Sequence, residues 1–373
     1  MKLCLVTRRM PPAQCGIADY TLGLASALSG THEVVVVSGT QHDVVGAPSA
    51  RILPIIPDWG PRGMLTLLRV LRELQPDWVL LEYVPFLYSR IGVNVWLPLA
   101  TCCMRLLGLR VLLTVHEPFV RIDSIKHTVT GLAQRIMIWL LIRGSEKIAV
   151  TTRAWAELIA PYSSRRHVFH LPVASNLPCV AVTALDRAQL RAELGIDESD
   201  VVVATLRPTG AGKLLDQTMR VWTRLRETHR HARLLVLGLT DAERSRVSGI
   251  TGVLDVGYVP PDRASRLLSA ADVFVALFTD GVSTRRTSVM AAMAHGLPVV
   301  TTNGHLTDPI FATSPLVARG PDEAEGLLAD LDALARSPQA RQERGCASRR
   351  FYAQHFDWPV LTGRLNAEIQ EPA

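Results

Sequence analysis

Two cations, Arg207 and Lys213, stand either side of a glycine-bearing turn in the run TLRPTGAGK, directly after the apolar stretch Val201 to Leu206. An arginine can grip oxygens as a fork and a lysine adds a point charge, so the pair suits a diphosphate. The plain alternative is two solvated surface charges. A second candidate is DGVSTRRTSVMAAMAHGLPVV, from Asp280 to Val300, which follows the apolar run Val273 to Phe278. Gly281 can take backbone angles closed to other residues and lets a ligand approach the main chain. Ser283 or Thr284 is expected to cap a helix, with Val289, Met290, Met293 and Ala294 as its apolar stripe. A strand, a glycine turn and a helix with a free N-terminus make an anion site; the alternative is an ordinary αβ unit. Two further loops stand out. His116 lies in TVHEP just past the run Val111 to Val115, and Gly16, Asp19 and Tyr20 lie in the loop after the first apolar run. No GxxxxGK[ST] pattern is present, so none of these is a P-loop.

The elements that must hold these residues alternate with little else between. Short continuous apolar runs, each followed by a helical pattern, are what a parallel sheet covered on both faces looks like. A chain of 373 residues exceeds what one core usually holds. The stretch Ala174 to Leu185 has no clear period and carries Pro178, so it reads as a linker. The expected fold is therefore α/β: two doubly wound Rossmann-like domains facing each other across a cleft, residues 1–175 and 176–355. Ligands in such sheets bind beyond the carboxyl ends of the strands, where the four loops fall.

Composition excludes several classes. Apolar residues make up 48% and aromatics 6%, which suits an α/β enzyme better than a disordered chain. The six cysteines show no paired metal-ligand spacing, so unpaired thiols in a reducing cytoplasm are expected. No apolar run reaches the ~18 residues of a membrane span. Charge is uneven: residues 1–178 hold 18 Lys/Arg against 11 Asp/Glu, and residues 179–373 hold 22 against 23. Two apolar helices accompany the basic half, Asn94 to Leu107 and Val129 to Arg143. Peripheral contact with an anionic membrane at the inner face, or a lipid-linked acceptor, is one reading. The other is that Trp96, Met104, Met137 and Trp139 pack inside. Nucleic acid is not expected, since the charge is dilute and has no aromatic interleaving. Asp330 and Asp332 have DxD spacing but lie in a helical Leu/Ala pattern, which reads as a solvent face; no metal site is expected.

Taken together, PPAQCGIADYTLGLASAL, TVHEP, LRPTGAGK, GYVPPDRASRLLSAADVFVAL, DGVSTRRTSVMAAMAHGLPVV and FDWPVLTGRL resemble, in order, the GT-B glycosyltransferases, and specifically the retaining group called family 4. The resemblance implies transfer of a sugar from a nucleotide-diphosphate donor to an acceptor hydroxyl, with retention and without metal or other cofactor. By the same resemblance, Arg207 and Lys213 hold the diphosphate, and Gly16 borders it and the acceptor. His116 contacts the sugar. The backbone of Gly281, Val282, Ser283, Thr284 and Arg285 holds sugar hydroxyls, and Val259 offers main chain to the base. Residues 356–373 return as a helix to the first domain, and Asp19 and Tyr20 are assigned to the acceptor side. Two glutamates usual in the family are replaced by Ser283 and Ala291, so ribose recognition is expected to differ; Asp280 is an alternative carboxylate for the sugar. A UDP- or dTDP-sugar is the expected donor, and a small molecule, glycan or lipid-linked compound the acceptor. The competing readings are an epimerase or phosphorylase of the same fold, and a non-catalytic partner-binding homologue.

Overall fold

The computed structural model describes residues 1–371 except 42, 46–48, 123, 164–165 and 211. Ala211 of the TLRPTGAGK loop, and Pro372 and Ala373 of the expected C-terminal segment, therefore lie outside the described residues. The chain divides into two compact units, Met1–Val173 with Trp358–Ala373, and Ala174–Asp357.

The first unit runs β1 (Lys2–Val6), α1 (Gly16–Leu28), β2 (Glu33–Gly39), β3 (Arg51–Ile56), α2 (Pro61–Leu74), β4 (Trp78–Tyr83), α3 (Pro85–Tyr88), α4 (Trp96–Leu106), β5 (Val111–Val115), α5 (Ile125–Gly144), β6 (Lys147–Val150), α6 (Arg153–Ser163) and β7 (His167–His170). Its strands form one parallel sheet in the order β3-β2-β1-β4-β5-β6-β7. The central strands β4 and β5 are buried at every residue, as continuous apolar runs in a doubly covered sheet require. Pro54, which interrupts its run in sequence, is tolerated because β3 is an edge strand.

The second unit runs α7 (Ala184–Glu193), β8 (Val202–Leu206), α8 (Leu215–Thr228), β9 (Arg233–Leu237), α9 (Asp241–Arg244), β10 (Val253–Asp255), α10 (Pro261–Ser269), β11 (Val273–Ala276), α11 (Thr287–Ala294), β12 (Val299–Thr302), a 3-10 turn (Pro309–Thr313), β13 (Val317–Arg319), α12 (Ala324–Arg336) and α13 (Pro338–His355). Its sheet is again parallel, ordered β10-β9-β8-β11-β12-β13. Val203, Val236, Val275 and Val300 pack with Trp222 and Leu225 of α8 and Leu327 and Leu331 of α12 into its core. Both sheets reverse their direction of growth at one place, between β1 and β4 in the first unit and between β8 and β11 in the second. Such switch points open a crevice at the carboxyl ends of the strands.

The last helix, α14 (Trp358–Gln370), packs on the first unit. Its Trp358 indole lies so close to Gly23 of α1 that a Cβ there would come within 2.4 Å of it. The Trp78 indole N–H donates to the Ile369 carbonyl at 3.1 Å, and the His32 ring meets Asn366 at 2.8 Å. The DxD pair sits on α12, where Asp330 binds Arg319 and Asp332 binds His229 and Arg336.

Candidate active site

In the second unit the loops after successive strands lie side by side. The loop after β10 carries Gly257, whose carbonyl accepts from the Gly238 amide after β9 at 2.7 Å. Gly238 in turn abuts Arg207 after β8: a Cβ on Gly238 would stand 2.6 Å from the Arg207 side chain. Arg207 itself takes a left-handed backbone, φ 46°, unusual for a residue with a Cβ. Its carbonyl thereby accepts from the Lys213 ammonium. Lys213 and Gly212 pair with the strip after β11, where Leu214 N–H donates to Leu277 O and Thr279 N–H to Gly212 O. Arg207, Lys213 and Asp280 are thus brought to one rim at the switch point. Val259 lies farther along it, in the loop between β10 and α10.

Charge at this rim is mostly of one sign. Burial, and then the neighbouring cations Arg207, Arg286 and Arg285, bring the Lys213 ammonium down to a pKa of about 8; Glu243 opposes them. The cationic form is disfavoured there because it is both desolvated and repelled. An arriving polyanion would offset both effects by attraction to the ammonium.

The turn after β11 is held by its own backbone. Gly281 has φ 86°, and a Cβ there would meet Thr307 Oγ1 at 2.2 Å and the Gly304 amide nitrogen at 2.3 Å. Only glycine fits. Val282 N–H donates to the Thr302 carbonyl. The Thr284 amide and hydroxyl both donate to Asp308 Oδ2, at 2.8 and 2.9 Å. Thr284 is committed to Asp308 and the Ser283 hydroxyl makes no bond to the helix, so neither is its cap. Helix α11 starts only at Thr287, with Arg286 in the cap position, which corrects the earlier expectation. Ser283 is fully buried, and its hydroxyl has no partner among the described residues.

Asp280 does something sequence alone did not reveal. One carboxylate oxygen pairs with Arg285 at 2.7 Å and the other with Arg286. Arg286 also lies over the Phe278 ring, 4.2 Å from its centroid. The carboxylate therefore anchors two arginines beside Lys213, and its oxygens are already engaged. Arg286 and Asp308 were missed. The doubled cation in TRRT was the available signal for the first; Asp308 stands 24 residues from Thr284 and gave none.

In the first unit, Gly16 opens α1, and Asp19 and Tyr20 lie in its first turns. His116 follows β5 and is buried. Its Nε2 lies 2.6 Å from Glu82 Oε2, its amide donates to Tyr83 O, and its carbonyl accepts from the Trp155 indole at 2.8 Å. The Tyr20 ring meets it edge-on at 5.1 Å. Glu82 was also missed, although a lone carboxylate inside the apolar strand WVLLEY was the signal for it. A cleft of about 920 Å³ opens beside β1 to β3, lined by Arg8, Arg9, Asp58, Trp59, Asn94 and Trp96 among others. A hollow of about 690 Å³ in the second unit lies at the other end of its sheet, near Asp272 and Pro298, which precede β11 and β12. Its Asp272 is already paired with Arg187 and Arg191. Among the described residues, no group of three His, Cys, Asp or Glu is placed to hold a metal, and no helix is long and apolar enough to cross a membrane.

Solved structures of the same fold cover nearly the whole chain. Anabaena HepE in complex with UDP and glucose superposes with a TM-score of 0.73 at 14% identity over 99% of both chains. WaaG, a glycosyltransferase involved in lipopolysaccharide biosynthesis, gives 0.69 at 15% identity over 99% of this chain and 100% of its own. A glycosyltransferase from Rickettsia africae gives 0.69 at 14% over 100% and 99%. At these identities the likeness is one of fold. No curated protein matches in sequence. Residues 198–336 match the family model "Glycosyl transferases group 1", a span that holds Arg207, Lys213 and the whole turn from Asp280 to Arg286. The second unit is thus similar over residues 198–336 to the group 1 glycosyltransferases, and the chain as a whole has the GT-B fold of two Rossmann-like units.

Proposed function

We propose that this chain moves a sugar from a UDP- or dTDP-sugar to an acceptor hydroxyl, with retention and without metal. The observation that carries the proposal is the convergence of Arg207, Lys213, Arg285 and Arg286 at the β8/β11 switch point. Breaking the bond between the anomeric carbon and the β-phosphate oxygen leaves negative charge on the diphosphate and partial positive charge on the ring. Cations fixed before the reaction lower that barrier, because they need no reorganisation when the charge develops. The acceptor oxygen forms the new bond on the face the diphosphate leaves, and its proton passes to a phosphate oxygen. No protein nucleophile is then needed.

By the family resemblance the backbone of the turn from Gly281 to Arg285 holds sugar hydroxyls. By the same resemblance His116, its ring set by Glu82, is the first unit's candidate for a sugar contact. The retaining outcome and these sugar contacts rest on the family resemblance. The donor preference has two supports: HepE binds UDP, while Ala291, buried on α11, offers no group to a ribose hydroxyl. The cleft beside Arg8 and Trp96 suits an acceptor with an anionic group next to an apolar one, a lipid-linked compound among them. Six free thiols fit a reducing compartment such as the cytoplasm.

The test is a panel of UDP-, dTDP-, GDP- and ADP-sugars with and without a bacterial lipid extract, following free nucleoside diphosphate and the anomeric configuration of the product. Acceptor-dependent release with retained configuration is expected. An inverted product would remove the retaining mechanism, and release without transfer from every donor would point to an epimerase or hydrolase.

A further inference from the structure

Helices α4 and α5 of the first unit turn apolar side chains outward at regular helical spacing. On α5 the exposed positions are Val129, Leu132, Ile136 and Trp139, three and four residues apart in alternation, and the next in the series is Arg143. On α4 they are Trp96, Leu99, Cys103 and Leu106, with the same alternation. The opposite faces are apolar too, with Leu97, Met104, Met137 and Leu141 buried. Of the four residues expected to pack inside, the two methionines do, whereas Trp96 and Trp139 stay 44% and 39% exposed. A helix on the outside of a water-soluble domain ordinarily shows water a polar face.

The two stripes form one surface because the helices lie side by side. The Cys102 thiol reaches the Leu140 carbonyl at 3.5 Å, and a Cβ on Gly144 would strike the Thr101 backbone at 2.7 Å. Ile122, which lies against Gly131, and Phe86, which lies against Gly92, extend the surface past the start of α4. Among the described residues, the large apolar side chains left exposed belong to the first unit, Leu185 and Tyr258 excepted.

The charges on the two helices themselves have one sign. Neither helix contains a carboxylate. At the far end of α5, Arg105 and Arg166 both donate to the Arg143 carbonyl, at 3.4 and 3.3 Å, while the nearby Glu146 is occupied by Arg110. The Arg143 guanidinium rests over the Trp139 ring, 4.8 Å from its centroid. Three arginines beside an apolar stripe match a surface of phosphates.

We propose that the outward face of α4 and α5 docks on an anionic lipid bilayer. The two helices lie in the plane of the headgroups, with Trp96 and Trp139 at the apolar boundary and the arginines on lipid phosphates. Trp96 also lines the 920 Å³ cleft, so a lipid-borne molecule would be presented at its mouth. The docking itself does not depend on the transfer reaction.

Flotation of the full chain with vesicles of phosphatidylcholine alone, and of phosphatidylcholine with 30% phosphatidylglycerol, tests this without donor or acceptor. Binding to the second set is expected, weakened by 0.5 M salt, and lowered about a hundredfold by the pair Leu132→Glu, Ile136→Glu. Leu185→Glu, on the second unit, should change nothing. Because these side chains face water, the variants should melt as the wild type does. If the wild type ignores both vesicle sets, or the Leu132/Ile136 pair binds as well as it does, the proposal is overturned. A dimer in sedimentation that this pair dissociates, with no vesicle binding, would assign the face to a second copy instead.

Discussion

Lys213 should be a burden to the empty protein, and Lys213→Met should therefore stabilise it. The ammonium is held at a pKa of about 8 against an ordinary 10.5, first by burial and then by Arg207, Arg286 and Arg285. At 1.36 kcal/mol per unit, a shift of this size corresponds to about 3 kcal/mol of unfavourable energy. Part of that is screened, because the side chain is only partly buried, and methionine gives up the bond to the Arg207 carbonyl, worth about 1 kcal/mol. A net gain of about 1–2 kcal/mol remains. The sign follows from proton counting. Between pH 8 and 10.5 the unfolded chain binds the proton that the folded one has lost, so wild-type stability rises with pH across that window. The cost is fully present below pH 8 and gone above 10.5. Urea unfolding, read through hydrogen exchange of β8 and β11 amides at pH 7 and pH 10, compares the two proteins. Lys213→Met should be the more stable at pH 7, with the difference shrinking or reversing at pH 10. A variant less stable at pH 7, or a difference independent of pH, would refute the account of this lysine.

Affinity for a nucleoside diphosphate should fall by up to tenfold per pH unit above pH 8, as Lys213 loses its proton. Calorimetry at pH 8.5 in buffers of differing ionisation enthalpy should then show proton uptake on binding. Gly281→Ala combines an unfavourable φ with contact against the Gly304 backbone, and should lower stability by about 2–4 kcal/mol and abolish turnover, as melting and activity assays would show. Glu82→Gln weakens the bond that sets the His116 ring and should reduce kcat/KM about 10- to 100-fold, while nucleoside diphosphate affinity stays within twofold. Asp308→Ala releases the Thr284 amide and hydroxyl and should cost about 1–3 kcal/mol in stability, with turnover falling in parallel.

Much of the scaffold was legible because burial on both faces of a parallel strand leaves a plain trace. The run Val111 to Val115 is β5, and Val273 to Phe278 contains β11. The short edge strands β10 and β13, three residues each and only half buried, left no comparable trace. Within the site, Arg207, Lys213 and Gly281 were visible as residue types at strand ends. Their supports were not. Asp308 grips a turn 24 residues earlier, and Glu82 meets His116 across neighbouring strands, pairings that no local pattern encodes. The helix start was misread for the same reason, since a hydroxyl that seems free to cap α11 is already bound to a carboxylate on a later loop. The exposed stripes of α4 and α5 show the opposite limit: their spacing was plain, but which side meets water depends on the sheet they pack against.

The central claim is that the second-unit rim grips a diphosphate. Calorimetric titration of UDP and dTDP into the wild type and into the double variant Arg207→Ala, Lys213→Met tests it most directly. Since Lys213→Met is expected to stabilise the empty protein, lost binding would not be explained by the lysine change unfolding it. The account predicts binding of at least one nucleotide by the wild type and a loss of 100-fold or more in the double variant. Equal affinity in both proteins would contradict it.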